Sequence, residues 1–164
     1  MSEEFRSRVR AVLDANGYLV LGTTEDDGSP RVSPVFFTHV GHRTFYWVSG
    51  PNTTHSRNVA ARPKVSFVVF DSSVVPGPTT AAVYLTGSAE QVPDGELVEE
   101  CARAFRDVEA RGGRAFAPEE LGGDAQLRLY RARADRHEIH VRGGDPDHGT
   151  GVDRRLVVEM PAGG

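Results

Sequence analysis

The stretch Ser49–Asn58, SGPNTTHSRN, gathers hydroxyls, an imidazole and a guanidinium between two apolar runs, Thr44–Val48 and Lys64–Phe70. Residues of these types at this spacing do one kind of chemistry well: they hold an anion. A short helix is expected from about Thr54 to Arg62, ended by Pro63 because the residue before a proline is pushed out of helical geometry. The first backbone N–H groups of a helix lack partners and carry a partial positive charge, which suits a phosphate. Thr53 or Thr54 serves as N-cap. Ser49 adds a hydroxyl, and His55 and Arg57 add partial or full charge, with Arg31 on the preceding hairpin as a further member. A charge-assisted contact between Arg and phosphate is worth about 1.5–3 kcal/mol. The same residues also make an ordinary capped helix with surface arginines.

The elements that must position this stretch are mostly strands. Tyr18–Thr24 reads as a strand, Asp27-Gly28 as a turn, and Arg31–Val40 as a second strand interrupted by Pro34, which is at home only on an edge, at a bulge, or where ladder pairing gives way. Gly41-His42 closes a hairpin into Thr44–Ser49. Lys64–Asp71 and Ala81–Val92 follow as strands, with Gly87 a bulge. Gln126–Ala134 and Arg136–Val141 read as a closing pair, and Arg154–Met160 as a last strand.

Helical spacing appears at Phe5, Val9, Val12 and Leu13, stopped by Asn16-Gly17. It recurs at Leu97, Cys101, Phe105 and Val108, with Asp94 as N-cap. Cys101 then packs as a small hydrophobe, and Glu96, Glu99, Glu100, Arg103 and Arg106 form a solvated face. The expected architecture is mostly β (α+β): an antiparallel barrel of six to seven strands with two or three peripheral helices, forming one domain over residues 1–164.

Bulk properties exclude several classes of function. The 164 residues carry a net charge of −4 and 26% charged residues, giving no overall nucleic-acid or membrane footprint. Any anionic ligand needs a local positive site. Arginine dominates the basic residues, with Lys64 the single lysine. One cysteine allows no intrachain disulfide and no Cys-based metal centre. The charged N-terminal run and the lack of a long apolar stretch lead to the expectation of a cytoplasmic protein. No G-x-S-x-G motif, triad order or paired acidic site stands out, so any catalysis belongs to a cofactor.

Taken together, GSPRVSPVFF, TFYWVS, TTHSRNVAARP and KVSFVVF, in this order, resemble the pyridoxamine 5'-phosphate oxidase-like family of split-barrel flavin proteins. The resemblance runs from about Tyr18 to Val92, with a looser match over RLYRARADRHEIHV. Its most specific piece is a His/Lys-x-x-Asn pattern, carried by His55 and Asn58 and leading through Pro63 into the next strand. The resemblance implies FMN as cofactor, a small-molecule substrate and a homodimer with the flavin at the subunit interface. It places Arg31 as a phosphate contact, Ser33, Pro34, Val35 and Phe36 along the flavin ring, and Val48 and Ser49 against ring and phosphate. Thr54 and His55 then occupy the positions of the family's Arg-Lys phosphate clamp.

Three departures matter. His55 replaces a permanent charge, Ala82 stands where the oxidases proper use Gln, and the C-terminal Trp and Arg-His-rich signature of true pyridoxamine phosphate oxidases is absent. Vitamin B6 oxidation is therefore not expected. The alternatives are the deazaflavin F420 on the same barrel, or a non-catalytic flavin- or haem-binding protein. His137, His140 and His148 are conceivable metal or haem ligands, although His137 and His140, three apart on a strand, face opposite sides. The substrate side is expected from Ser72–Thr80 and the C-terminal segment. Trp47 is expected to pack in the core, the alternative being stacking on the flavin.

Overall fold

The computed structural model describes residues 3–77 and 80–161. Pro78 and Thr79, within the expected substrate-side loop, lie outside the described residues, as do the chain ends. The elements in chain order are α1 (Glu3–Ala15), β1 (Tyr18–Thr24), β2 (Pro30–Phe36), β3 (Thr38–Val40), β4 (Thr44–Ser49), α2 (Thr54–Ala61), β5 (Lys64–Phe70), β6 (Ala82–Gln91), α3 (Leu97–Ala104), β7 (Arg128–Val141) and β8 (Arg154–Val157).

One antiparallel sheet in the order β2-β1-β5-β6-β7-β4-β3 curls into a half-barrel, with β8 added to β7. Alternation decides its faces. Leu19 and Leu21 of β1, Val65, Phe67 and Val69 of β5, and Val83 and Leu85 of β6 point inward and are buried, together with Phe45 and Trp47 of β4. Phe5, Val9 and Leu13 of α1 join the same core. A second cluster, built from Tyr46, Leu97, Cys101, Leu121 and Leu129, lies on the other side of β4 and seats α3.

Several expectations meet a different outcome. The Arg31–Val40 run splits, because Phe37 turns inward to full burial and donates its N–H to the Gly17 carbonyl instead of to a neighbouring strand. Pro34 sits on β2, the edge strand, where a missing N–H is tolerated. The closing pair is in fact one long strand, β7, which pairs with β4, β6 and β8 along its length. Gly87 marks the register shift between β6 and β7, and a Cβ there would lie 2.1 Å from the Arg133 carbonyl oxygen.

The third helix is shorter than its apolar spacing implies. It ends at Ala104, and Val108 is buried from a turn beyond it. Asp94 does not cap it: its carboxylate accepts the N–H of Gly123 and ties down the following loop. Glu100 leaves the solvated face altogether and is 5% exposed. Its carboxylate accepts the Tyr46 hydroxyl at 2.7 Å and meets the buried Arg131 at 3.3 Å, an ion pair that the charge pattern of the helix does not reveal.

Candidate functional site

The two ends of the sheet path, β2 at one end and β3–β4 at the other, approach each other across the opening of the half-barrel. In this seam lies a cavity of about 450 Å³. One wall is Tyr18 with Pro34, Val35 and Phe36 of β2. The other is Tyr46, Trp47, Val48 and Ser49 of β4, with Thr38 between them. Phe105, Val108, Arg114, Phe116 and Leu127, from the segment after α3, close the far side. Five of the residues singled out in the sequence, Pro34, Val35, Phe36, Val48 and Ser49, therefore line one space. Gly113 helps to shape it, since a Cβ there would come within 2.6 Å of the Phe36 ring and 2.8 Å of Val108.

Two buried polar atoms on residues lining this cavity have no partner: the Trp47 indole nitrogen and the Thr38 hydroxyl. Trp47 is 2% exposed and its ring stacks on Tyr130 at 5.8 Å, so it is a core residue whose donor is nevertheless unused. A buried donor left unpaired costs about 1–3 kcal/mol, and a polar molecule in the cavity is one way to satisfy it.

Ser49 joins the cavity to the start of α2. Its hydroxyl lies 2.9 Å from His55 Nε2 and 3.3 Å from the Thr53 hydroxyl. Thr53 is the N-cap, accepting the Ser56 N–H, and Thr54 is the first helical residue. Asn58 is buried and donates to the Thr23 hydroxyl, which fixes α2 against β1. Burial lowers the His55 pKa below its ordinary value, so near neutral pH the imidazole is an uncharged hydrogen-bonding group.

The remaining expected members sit elsewhere. Arg57 is exposed and donates to the Asn52 carbonyl at 2.6 Å, on the rim of the α2 start. Arg31 is ion-paired with Glu25 and lines a separate depression with Gly22, Lys64 and Thr86. Ser33 is half-buried beside Leu21 in the β1–β2 ladder. The cluster at α2 thus brings together Ser49, Thr53 and His55, with no guanidinium inside it among the described residues. The cavity residues that sequence reasoning missed include Tyr18, Thr38, Tyr46 and the wall from Phe105 to Leu127. For Phe105 and Val108 the signal was the apolar spacing of a segment that read as a peripheral helix, and Tyr18, Thr38 and Tyr46 read as ordinary strand residues.

The three histidines weighed as metal or haem ligands have separate partners. His137 Nε2 lies 2.7 Å from the His42 carbonyl, His140 Nε2 3.1 Å from Asp153, and His148 Nε2 2.9 Å from Glu4. Among the described residues no helix is long and apolar enough to cross a membrane.

Comparison with known proteins agrees with this architecture. A heme binding protein from Mycobacterium smegmatis is similar with a TM-score of 0.65 and 20% identity over 92% of this chain and 56% of that one. A FAD-binding protein from Mesorhizobium loti gives 0.61 and 20% over 81% and 91%. An F420 reductase gives 0.57 and 20% over 78% and 94%. At these identities the likeness is one of fold. Among curated proteins none matches the sequence. The model of the pyridoxamine 5'-phosphate oxidase family matches residues 5–140, from the first turns of α1 almost to the end of β7, so this chain belongs to that family.

Proposed function

We propose that the protein is an FMN-dependent oxidoreductase acting on a small molecule, with the flavin ring in the seam cavity and its phosphate at the start of α2. The observation that carries this reading is the continuity at Ser49. One residue lines the cavity and also bonds the polar cluster that caps a helix N-terminus. The ring end offers the backbone of Pro34–Phe36, the Trp47 indole N–H and the Thr38 hydroxyl. The phosphate end offers the hydroxyls of Ser49 and Thr53, the His55 imidazole and the free N–H groups of α2. Bound flavin would supply hydride or electron transfer. The protein's share is to orient the ring edge, satisfy its polar atoms and exclude water with Phe105, Phe116 and Leu127.

The reading includes a homodimer. Tyr18, Val32 and Phe70 are 64%, 69% and 46% exposed. They lie on β1, β2 and β5, which are neighbours in the sheet. A second copy covering this face accounts for that exposure. A cytoplasmic location fits a dimer of this kind and is part of the same proposal.

F420 is the second reading, favoured by one specific observation: neither Arg31 nor Arg57 enters the cluster at α2, so the anchor lacks the fixed charge a terminal phosphate prefers. Fluorescence-quenching titrations with FMN and F420 separate the two. The first experiment is an absorbance spectrum of the purified protein with mass identification of any released ligand, followed by NADPH addition without oxygen. Flavin bands that bleach on NADPH addition support the enzyme. Flavin that stays oxidised indicates a carrier, a haem spectrum indicates the haem-binding alternative, and a colourless protein that takes up no added FMN removes the proposal.

A further inference from the structure

The turn between β3 and β4 carries a cluster that the seam cavity does not use. His39 Nε2 lies 2.9 Å and His42 Nε2 2.8 Å from the same oxygen, Oδ1 of Asp14 at the end of α1. The two imidazoles are stacked with centroids 4.4 Å apart. His42 reaches this position from a left-handed backbone, φ 57°, beside Gly41 at φ 60°. A non-glycine residue in that region is uncommon. The remaining ring nitrogen of His39 is buried without a partner, so no second hydrogen bond holds the ring in one tautomer.

We propose that Asp14, His39 and His42 form a binding site for a single transition-metal dication, with Zn²⁺ the best-suited occupant. Two imidazoles and one carboxylate are the donor set that borderline cations such as Zn²⁺, Co²⁺ and Ni²⁺ prefer. The three ligand atoms all fall within 4.8 Å of one another. Zinc bonds of about 2.0–2.1 Å place tetrahedral ligands roughly 3.3 Å apart, so a small outward movement of Asp14 admits the ion. Its side chain is 55% exposed and has the room to move.

A fourth ligand, water or a small anion, has space in the adjoining cavity of about 210 Å³, which His39 and Asp14 share with Thr38, Asp107 and Arg111. Arg111 faces the same space but is engaged by the carbonyls of Leu13, Asp14 and Asn16 at the end of α1. An ion here would tie the end of α1 to the β3–β4 turn.

The test uses the full chain, prepared without a polyhistidine tag and treated with chelator, titrated with ZnCl₂ by calorimetry and with CoCl₂ by visible absorbance. The expected result is saturable uptake of one ion per chain, a tetrahedral Co²⁺ spectrum and a higher melting temperature with Zn²⁺. Asp14→Asn, His39→Gln and His42→Asn each weaken uptake at least tenfold, while His148→Ala leaves it unchanged. His42→Asn is the safeguard against misfolding, since asparagine accepts the left-handed backbone. No saturable uptake, or wild-type affinity in a folded His42→Asn variant, overturns the proposal.

Discussion

His55 is the residue on which the phosphate end of the site turns. Burial makes it a neutral partner of Ser49 rather than a cation, so its contribution is that of an ordinary hydrogen bond, about 0.5–1.5 kcal/mol. His55→Ala is expected to raise the FMN dissociation constant roughly 3–10-fold, by the same factor at pH 7 and pH 8.5. A wild-type affinity that falls steeply across that interval, measured by fluorescence quenching, contradicts the neutral role. The same burial has a stability consequence. A histidine whose folded pKa is depressed binds fewer protons folded than unfolded, so stability is complete above about pH 6.5 and declines as pH falls toward the folded pKa. His55→Gln should therefore lose less melting temperature between pH 7.5 and pH 5.5 than the wild type. A second residue-level expectation concerns Arg131, which pairs with Glu90 and Glu96 and with the buried Glu100. Burial pushes the Glu100 pKa up, but the hydrogen bonds from Tyr46 and Arg131 outweigh it and the net shift is downward. Removing the guanidinium leaves the buried carboxylate only the Tyr46 hydroxyl and the more exposed Arg103, 3.2 Å away, as partners. Arg131→Leu is expected to cost about 3–5 kcal/mol in denaturant unfolding, and Glu100→Gln less, because an amide still accepts the Tyr46 hydroxyl.

At the scale of elements, the site depends on a segment of loops and single 3-10 turns packing onto two strands. Gly113 lets the chain after α3 pass against Phe36 and Val108, both cavity residues, and a methyl group there would meet atoms at 2.6–2.8 Å. Gly113→Ala should displace the Phe36 ring at a stability cost of about 1–3 kcal/mol, and weaken flavin binding more than His55→Ala does. Titration of FMN and riboflavin in parallel checks this, since a wall defect affects both and a phosphate defect only the first. This dependence also explains what could be read in advance. The strands, the edge position of Pro34, the bulge at Gly87 and the capped start of α2 were legible because each is set by local chemistry: alternation, a missing N–H, an absent Cβ, a hydroxyl before a helix. The split at Phe37, the continuity of β7 and the buried Glu100–Arg131 pair were not. Each depends on what the chain meets far away in sequence, and a charged residue looks the same whether its partner is water or a strand some 30 residues on. Among the site residues, Pro34, Val35, Phe36, Val48 and Ser49 converged on one cavity, while Ser33 and Arg57, close in the chain to other members, did not. Arg31 did not, because Glu25, across the hairpin turn, holds it.

For the whole molecule the open question of chemistry is what covers the outer face of β1, β2 and β5. Inward-facing residues of β1 and β5 are buried as alternation requires, yet outward-facing Val32 and Phe70 are apolar where a solvated antiparallel sheet would carry polar groups. Val32 lies on the edge strand, in register with Gly22, and it lines the depression that also contains Arg31. A second copy seated there would bury this face and bring its own residues to the rim of the seam, which one chain leaves open. Substituting a charge at an exposed position changes the stability of an isolated chain by within about 0.5 kcal/mol, but a charge buried unpaired in an interface is far more costly. Val32→Asp is therefore expected to keep the circular dichroism of the wild type, run as a monomer in light scattering at concentrations where the wild type is a dimer, and lose at least tenfold in FMN affinity. A wild-type protein that is monomeric at every concentration, or a dimer untouched by Val32→Asp, rules out this face as the interface. A monomeric variant that keeps full FMN affinity preserves the interface but places the whole flavin site within one chain.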